Sequence, residues 1–349
     1  MASLIPSLPT AQAQGARGTS VSPALQGAPL KLLRITPAGE DVPPGRQLVC
    51  QFDRPVVPLG RIERSPSEIP ITAEPPLNCQ WRWLDPSTLA CQLGEKEALL
   101  PATRYRIVVS PGIRTEDQAT LAGEVLHTFT TERPRVTDVW FKTWNSPQIP
   151  QYSLRFNLAA VPASLVAHLY FQVQGGERIP AAVEEDPEYL GSPEIKTGRT
   201  WLITPRSPLP PNTPAALHVE PGVATPLGKE TGVEARNIVS FHTFPDFRFL
   251  GIECQDKREK TFLISPGTPL ASQQRCLPSG GVSLLFSTPV SRDEIRKGLQ
   301  LTPPLVAKGT GGDPWERVIA DAPLSEPHTR KKTYPVFLPE EVLEAHTTY

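Results

Sequence analysis

The chain has 349 residues, 39% of them hydrophobic, which allows two or three ordinary domains with real cores and argues against global disorder. A formal net charge of −1 without a basic stripe speaks against a nucleic-acid partner, and no apolar run approaches the roughly 20 residues of a membrane-spanning helix. Proline is the unusual number, 42 residues against a usual share of about 5%, and its scatter among short apolar segments points to many short strands joined by turns.

Residues 1–27, which begin "MASLIPSLPTAQAQGARGTS", are rich in Ala, Ser and Gln and lack apolar periodicity. Two readings stay open. The segment is a plain disordered leader, or, because Ala11-Gln12-Ala13 resembles a cleavage site, the remnant of an export signal. From residue 28 the pattern changes. "LKLLRITPAGE" opens a run of strands, "QLVCQFDRPV" alternates apolar and polar, and "CQWRWLDPSTLACQL" reads as a hairpin through Asp85-Pro86. "TRYRIVVSPG" ends on a turn signal and "VLHTFTT" closes the unit at residue 133.

The rest of the chain repeats this unit. Residues 88–113 lie over 200–223 with one two-residue gap, so that Thr103 meets Thr213 and Pro111-Gly112 meets Pro221-Gly222. Further upstream, "LVCQFDRPVV" (48–57) matches "VSLLFSTPVS" (282–291), pairing Phe52 with Phe286 and Pro55 with Pro289. The middle copy, "YSLRFNLAAV" (152–161), is weaker and puts Phe156 in that place. The boundaries expected are 28–133, 134–246 and 247–349. Six or seven short strands per unit describe tandem immunoglobulin-like antiparallel β-sandwiches, an all-β fold. "FLPEEVLEAHTTY" (337–349) lies over "LGEKEALLPATRY" (93–105), so the third unit reads as incomplete, and with the chain expressed alone 247–349 is expected to exchange its amides fast while 28–246 stays protected.

His127-Thr128-Phe129 and His242-Thr243-Phe244 are the same tripeptide in two units, which reads as a repeated last strand with Phe129 and Phe244 facing the core. Neither histidine is expected to be catalytic or to bind a metal. No Cys-x2-Cys or His-x3-His spacing, no Gly-x-Ser-x-Gly elbow and no phosphate-cradling loop occurs; "GTGGD" (309–313) lacks the Lys-Ser/Thr that such a loop needs after it. Glu184-Glu185-Asp186 reads as a solvated loop rather than a weak calcium site, and Arg330–Lys332 as a solvated basic loop. No catalytic, cofactor or metal site is expected, and the chain is read as non-enzymatic.

The cysteines invite a disulfide reading. With the turn centred at Asp85, Cys79 and Cys91 fall opposite each other and Trp81 faces Leu89, which makes a cross-strand bridge plausible and implies an oxidising compartment. Cys254 and Cys276 are candidates for a second bridge, and Cys50 is left as a buried thiol. The alternative is that all five are reduced core cysteines.

The signature Phe-x-x-Pro-Val, Leu-x-Pro-x-Thr-x-Tyr, Pro-Gly-Ile/Val and His-Thr-Phe resembles the bacterial immunoglobulin-like module of the S-layer-associated type. Tandem Pro-rich copies near an N-terminus are similar to the front end of bacterial alpha-2-macroglobulin-like proteins. That resemblance implies a periplasmic or cell-envelope protein, a spacer or docking arm whose parent traps proteases through a bait segment and a thioester. The thioester motif Cys-x-Glu-Gln has no match in Cys254-Gln255-Asp256 or Cys50-Gln51-Phe52, so no site residue carries over. Other classes stay open: the stalk of an adhesin, a sugar-binding surface protein with Trp140 and Trp144 as a flat platform, or accessory domains of an envelope hydrolase.

Overall fold

The computed structural model describes residues 27–56, 69–187, 197–269, 275–307, 311–320 and 333–349. Residues 1–26, Arg330–Lys332 and residues 309–310 of "GTGGD" lie outside them. The chain is all-β, with sheets packed as immunoglobulin-like sandwiches that are antiparallel except where Gly39–Val42 runs parallel to Val125–Thr131, and with two short helices among the described residues. It divides into two compact units between Glu132 and Arg133.

The first unit holds β1 (Leu32–Thr36), β2 (Gly39–Val42), β3 (Gln47–Phe52), β4 (Ile71–Glu74), β5 (Gln80–Asp85), β6 (Thr88–Gln92), β7 (Arg104–Val109) and β8 (Val125–Thr131). One sheet runs β1-β3-β6-β5 and the other β2-β8-β7-β4. The sequences of β3, β5 and β7 alternate because these strands bury one face only, whereas in β6 Leu89, Ala90 and Cys91 are all buried. Leu48, Cys50 and Phe52 of β3 point inward, as do Tyr105, Ile107 and Val109 of β7, and both sets belong to one core with Trp81, Trp83 and Phe129.

The hairpin β5–β6 departs from the expected register. Asp85 pairs with Thr88, leaving Pro86-Ser87 as the turn, and Leu84 is bulged. Trp81 therefore stands opposite Cys91 and Trp83 opposite Leu89, two residues away from the expected pairing. Asp85 sets the tight turn by accepting from the Ser87 amide at 2.7 Å and its hydroxyl at 2.8 Å.

The second unit opens with β9 (Val136–Ser146) and β10 (Ile149–Phe156). After these come α1 (Pro162–His168), β11 (Leu169–Val173), β12 (Arg178–Glu185), β13 (Thr200–Pro205), β14 (Pro214–Val219) and β15 (Arg236–His242). The sheet order is β15-β14-β11-β12-β13-β10-β9. It folds over itself at β12, whose residues 178–180 pair with β11 while 181–185 pair with β13. Phe171, Leu217 and Phe241 meet Tyr152, Leu154 and Ile203 in the core between.

A five-stranded sheet comes next, β17-β16-β18-β20-β19, from β16 (Phe249–Gln255), β17 (Thr261–Ile264), β18 (Val282–Phe286), β19 (Ile319–Ala320) and β20 (Tyr334–Leu338). Between β18 and β19 lies α2 (Arg292–Gly298). Ser291 caps this helix reciprocally with Glu294: the Glu294 amide donates to the Ser291 hydroxyl, and the Ser291 amide donates to the Glu294 carboxylate. Tyr334 is shared, since it packs into the core of the preceding sheet against Phe244, ring centroids 5.4 Å apart.

One turn is built three times. Ala102, Asn212 and His346 each hold a left-handed φ of 47°, 52° and 59°. In each case the next residue, Thr103, Thr213 or Thr347, donates its hydroxyl two residues back, to the carbonyl of Pro101, Pro211 or Ala345. Tyr105 and Tyr349 accept, through their hydroxyls, the amides of Leu100 and Glu344 at 2.9 and 2.7 Å. Ala215 takes the tyrosine's place in the middle turn. Tyr105→Phe strips the Leu100 amide of its partner and is expected to cost about 1 kcal/mol, read from urea unfolding of the first unit.

The turn also corrects the alignment of the two His-Thr-Phe segments. Thr131 and Thr243 play one role: each hydroxyl accepts from the amide of Thr103 or Thr213 and donates to the carbonyl of Leu100 or Pro210. Counting from these threonines, Phe129 corresponds to Phe241, and both pair with the residue two beyond the threonine of the turn, Tyr105 and Ala215. The tripeptides are thus three residues out of step. Phe129 and Phe244 are both buried, but Phe244 lies past the end of β15, in the place of Glu132.

Candidate binding surfaces

The cysteines form two bridges. Cys79–Cys91 spans a Cα separation of 4.9 Å and Cys254–Cys276 one of 5.5 Å. Cys79 precedes β5, diagonal to Cys91 rather than opposite it, and the bridge reaches across the shifted register. Cys50 is a free thiol inside the first core, where burial pushes its pKa up to about 12 and removes the thiolate that reactivity needs.

The other singled-out residues have local partners. His127 Nε2 donates to the Pro37 carbonyl at 2.7 Å, and His242 Nδ1 to the Thr243 carbonyl at 2.9 Å. Glu184-Glu185-Asp186 is not a solvated loop. Its glutamates end β12, Glu185 accepts from the Gly198 amide at 2.6 Å, and Asp186 is only 1% exposed. Asp186 accepts from the Ser153 hydroxyl at 2.6 Å and pairs with Lys142 at 3.6 Å. Trp144 points inward against Phe244, at 4.8 Å, and Arg155 sits over the Trp140 ring at 4.9 Å, so these two indoles form no flat platform. Among the described residues no three metal-ligating side chains cluster and no helix is long and apolar enough to cross a membrane.

Two outward sheet faces carry organised polar groups that no sequence motif marks. On the second unit, Tyr170 of β11 lies between β12 and β14. Arg178 covers its ring at 4.1 Å, and His218 stacks on it with centroids 5.2 Å apart and planes 7° from parallel. Glu220 accepts from Arg178 at 2.7 Å, and Asn237 stands opposite His218 on β15. Burial first, and the Arg178 charge second, hold the His218 pKa below its ordinary value. The unfolded chain therefore takes the proton before the folded one does. The His218 contribution to stability is complete above about pH 6.5 and is lost as pH falls below it. A His218→Gln variant is expected to lose less stability than the parent between pH 7 and 5, measured as the shift in melting temperature across that range.

On the first unit, the outward face of β1-β3-β6 forms a tray of about 380 Å³ lined by Arg34, Thr36, Val49, Gln51 and Thr88. Register sets its geometry. Arg34 is opposite Gln51, Gln51 opposite Thr88, and Thr88 opposite Asp85, giving one polar row across four strands. Thr36 and Val49 pair in the adjacent row and supply methyl groups to the floor. Arg34 has no acidic partner among the described residues. At the other end of the row burial would raise the Asp85 pKa, but hydrogen bonds from Thr88 and Ser87 outweigh it and keep the carboxyl below its usual range. The row thus runs from a cation to an anion over roughly 14 Å, three strand spacings.

No protein-family model matches the chain, and no curated protein matches it. Among solved structures, an L,D-transpeptidase from Mycobacterium tuberculosis H37Rv is 14% identical over 45% of this chain and 60% of its own, with a TM-score of 0.21. The chain thus spans about three fifths of that transpeptidase. Native alpha-2-macroglobulin from Escherichia coli spanning domains MG0-NIE-MG1 is 15% identical over 68% of this chain and 87% of its own, with a TM-score of 0.22. The native conformation of the same protein, resolved by cryo-EM, is 13% identical over 75% of this chain and 18% of its own, with a TM-score of 0.23.

Proposed function

We propose that the chain is a non-catalytic N-terminal arm of a bacterial alpha-2-macroglobulin-like envelope protein, whose parent inhibits proteases by trapping them. The observation that carries this reading is the threefold turn at Ala102, Asn212 and His346, which recurs with the sequence signature Pro-x-Thr or its Ala-x-Thr variant. Such recurrence supports an array of like sandwiches, 28–133, 134–246 and 247–349, and an array of this kind spaces and docks other domains. Two disulfides fit an extracytoplasmic protein, and the periplasm is the compartment proposed. Its partners are then the other domains of the parent and, through them, proteases.

The test uses the gene product purified from its native cells and challenged with trypsin. A trap leaves trypsin active on a small chromogenic peptide while protecting casein from it. Protection of casein with the peptide activity retained supports the reading. Digestion of casein at the rate of free trypsin, by a product that includes this chain, overturns it.

A further inference from the structure

We propose that the tray on the outer face of β1-β3-β6 binds a carboxylate-bearing saccharide, a uronic acid or a chain of them. The tray is an open depression on the strand surface, so recognition there rests on its side chains and not on enclosure. The polar row sets the polarity of the ligand. Arg34, exposed on the edge strand β1 and free of an acidic partner among the described residues, receives the carboxylate. Gln51 and Thr88, one strand spacing further on each, meet ring hydroxyls, and the methyl groups of Val49 and Thr36 lie under the C–H face of the ring. Asp85 closes the row as an acceptor for a hydroxyl.

Location favours a saccharide over a peptide. The tray lies on the face of β3, whose backbone groups are already paired with β1 on one side and β6 on the other. A peptide laid there finds no main-chain partners and gives up the ladder that makes strand addition bind. A polyhydroxylated ligand needs only side-chain donors and acceptors, which are what the row presents. This proposal does not depend on the parent protein or on protease trapping.

The experiment titrates the full isotopically labelled chain with digalacturonate, with the neutral disaccharide maltose and with the peptide Asp-Asp-Asp, tracking backbone amide shifts. Digalacturonate is expected to move amides around Arg34, Gln51 and Thr88, and to bind roughly tenfold or more tightly than maltose, the worth of one charge-assisted hydrogen bond. Arg34→Gln is expected to bring digalacturonate down to the level of maltose. Gln51→Ala, which keeps the cation, should weaken both sugars alike. An unchanged melting temperature shows that each variant is folded. Equal binding of maltose and digalacturonate by the parent, an Arg34→Gln variant that binds as well as the parent, or tighter binding of the acidic peptide overturns the proposal. Galacturonate alone binding as tightly as the dimer assigns the site to the single sugar acid within the same class, and supports it.

Discussion

Phe244→Ala is expected to destabilise the second unit by about 3–5 kcal/mol, the usual cost of emptying a buried phenylalanine site. Phe244 is 1% exposed and lies past the end of β15, where Trp144 meets it edge-on at 4.8 Å and Tyr334 at 5.4 Å. It therefore joins the core of the seven-stranded sheet to β20 of the five-stranded sheet. Trp144 and Tyr334 are themselves buried in packed positions, so the vacated space refills only in part. Urea unfolding monitored by tryptophan fluorescence reads the loss, and Phe244→Leu should recover most of it. The neighbouring His242→Ala should cost about 1 kcal/mol or less, because that ring is half-buried and bonds the adjacent Thr243 carbonyl. A loss below about 1 kcal/mol for Phe244→Ala would show that the ring does not hold these sheets together.

Replacing Cys79 and Cys91 together by alanine is expected to cost the first unit about 2–4 kcal/mol. The bridge closes a loop over a sequence separation of 12, and Cys91 is fully buried beside Trp81 and Leu48. Loss of the link enlarges the unfolded ensemble, and loss of the buried sulfur leaves a small void. Scanning calorimetry should show the transition of the first unit moving down while that of Arg133–Tyr349 stays in place. Free thiols at both positions in exported protein, found by mass spectrometry of non-reduced peptides, would refute the bridge.

Strand faces and strand pairings differ in how far the sequence reveals them. Alternation places Leu48, Cys50 and Phe52 on one face because a strand exposes every second residue, and this needs no knowledge of neighbours. The hairpin register needs more. Centring the turn on Asp85 misses the pairing by two residues, since Asp85 serves as the last paired residue and caps the turn with its carboxylate. A two-residue error keeps every side chain on its face, which is why the Cys79–Cys91 pair stays within bonding reach. The His-Thr-Phe match misses by three. Identical tripeptides outweigh Thr131 and Thr243, whose shared role shows only through their bonds to residues about 30 positions earlier. An all-strand reading also misses the two helices, although Ser291 and Glu294 spell a capping box.

Local chemistry carried in the chain itself determined the all-β class, the inward faces of the strands and the turn after Pro101, Pro211 and Ala345. Proline density, period-two alternation and the Thr–carbonyl bond over two residues act within a few positions of one another. Tertiary structure alone decided which strands lie side by side, and with them both outward surfaces. Arg34, Gln51, Thr88 and Asp85 share a row only because β1, β3, β6 and β5 pair in that order. Tyr170 meets Arg178 and His218 only because β11 runs between β12 and β14. Tyr170 and His218, far apart in sequence, become neighbours at one strand spacing, and no local pattern encodes a distance of that kind.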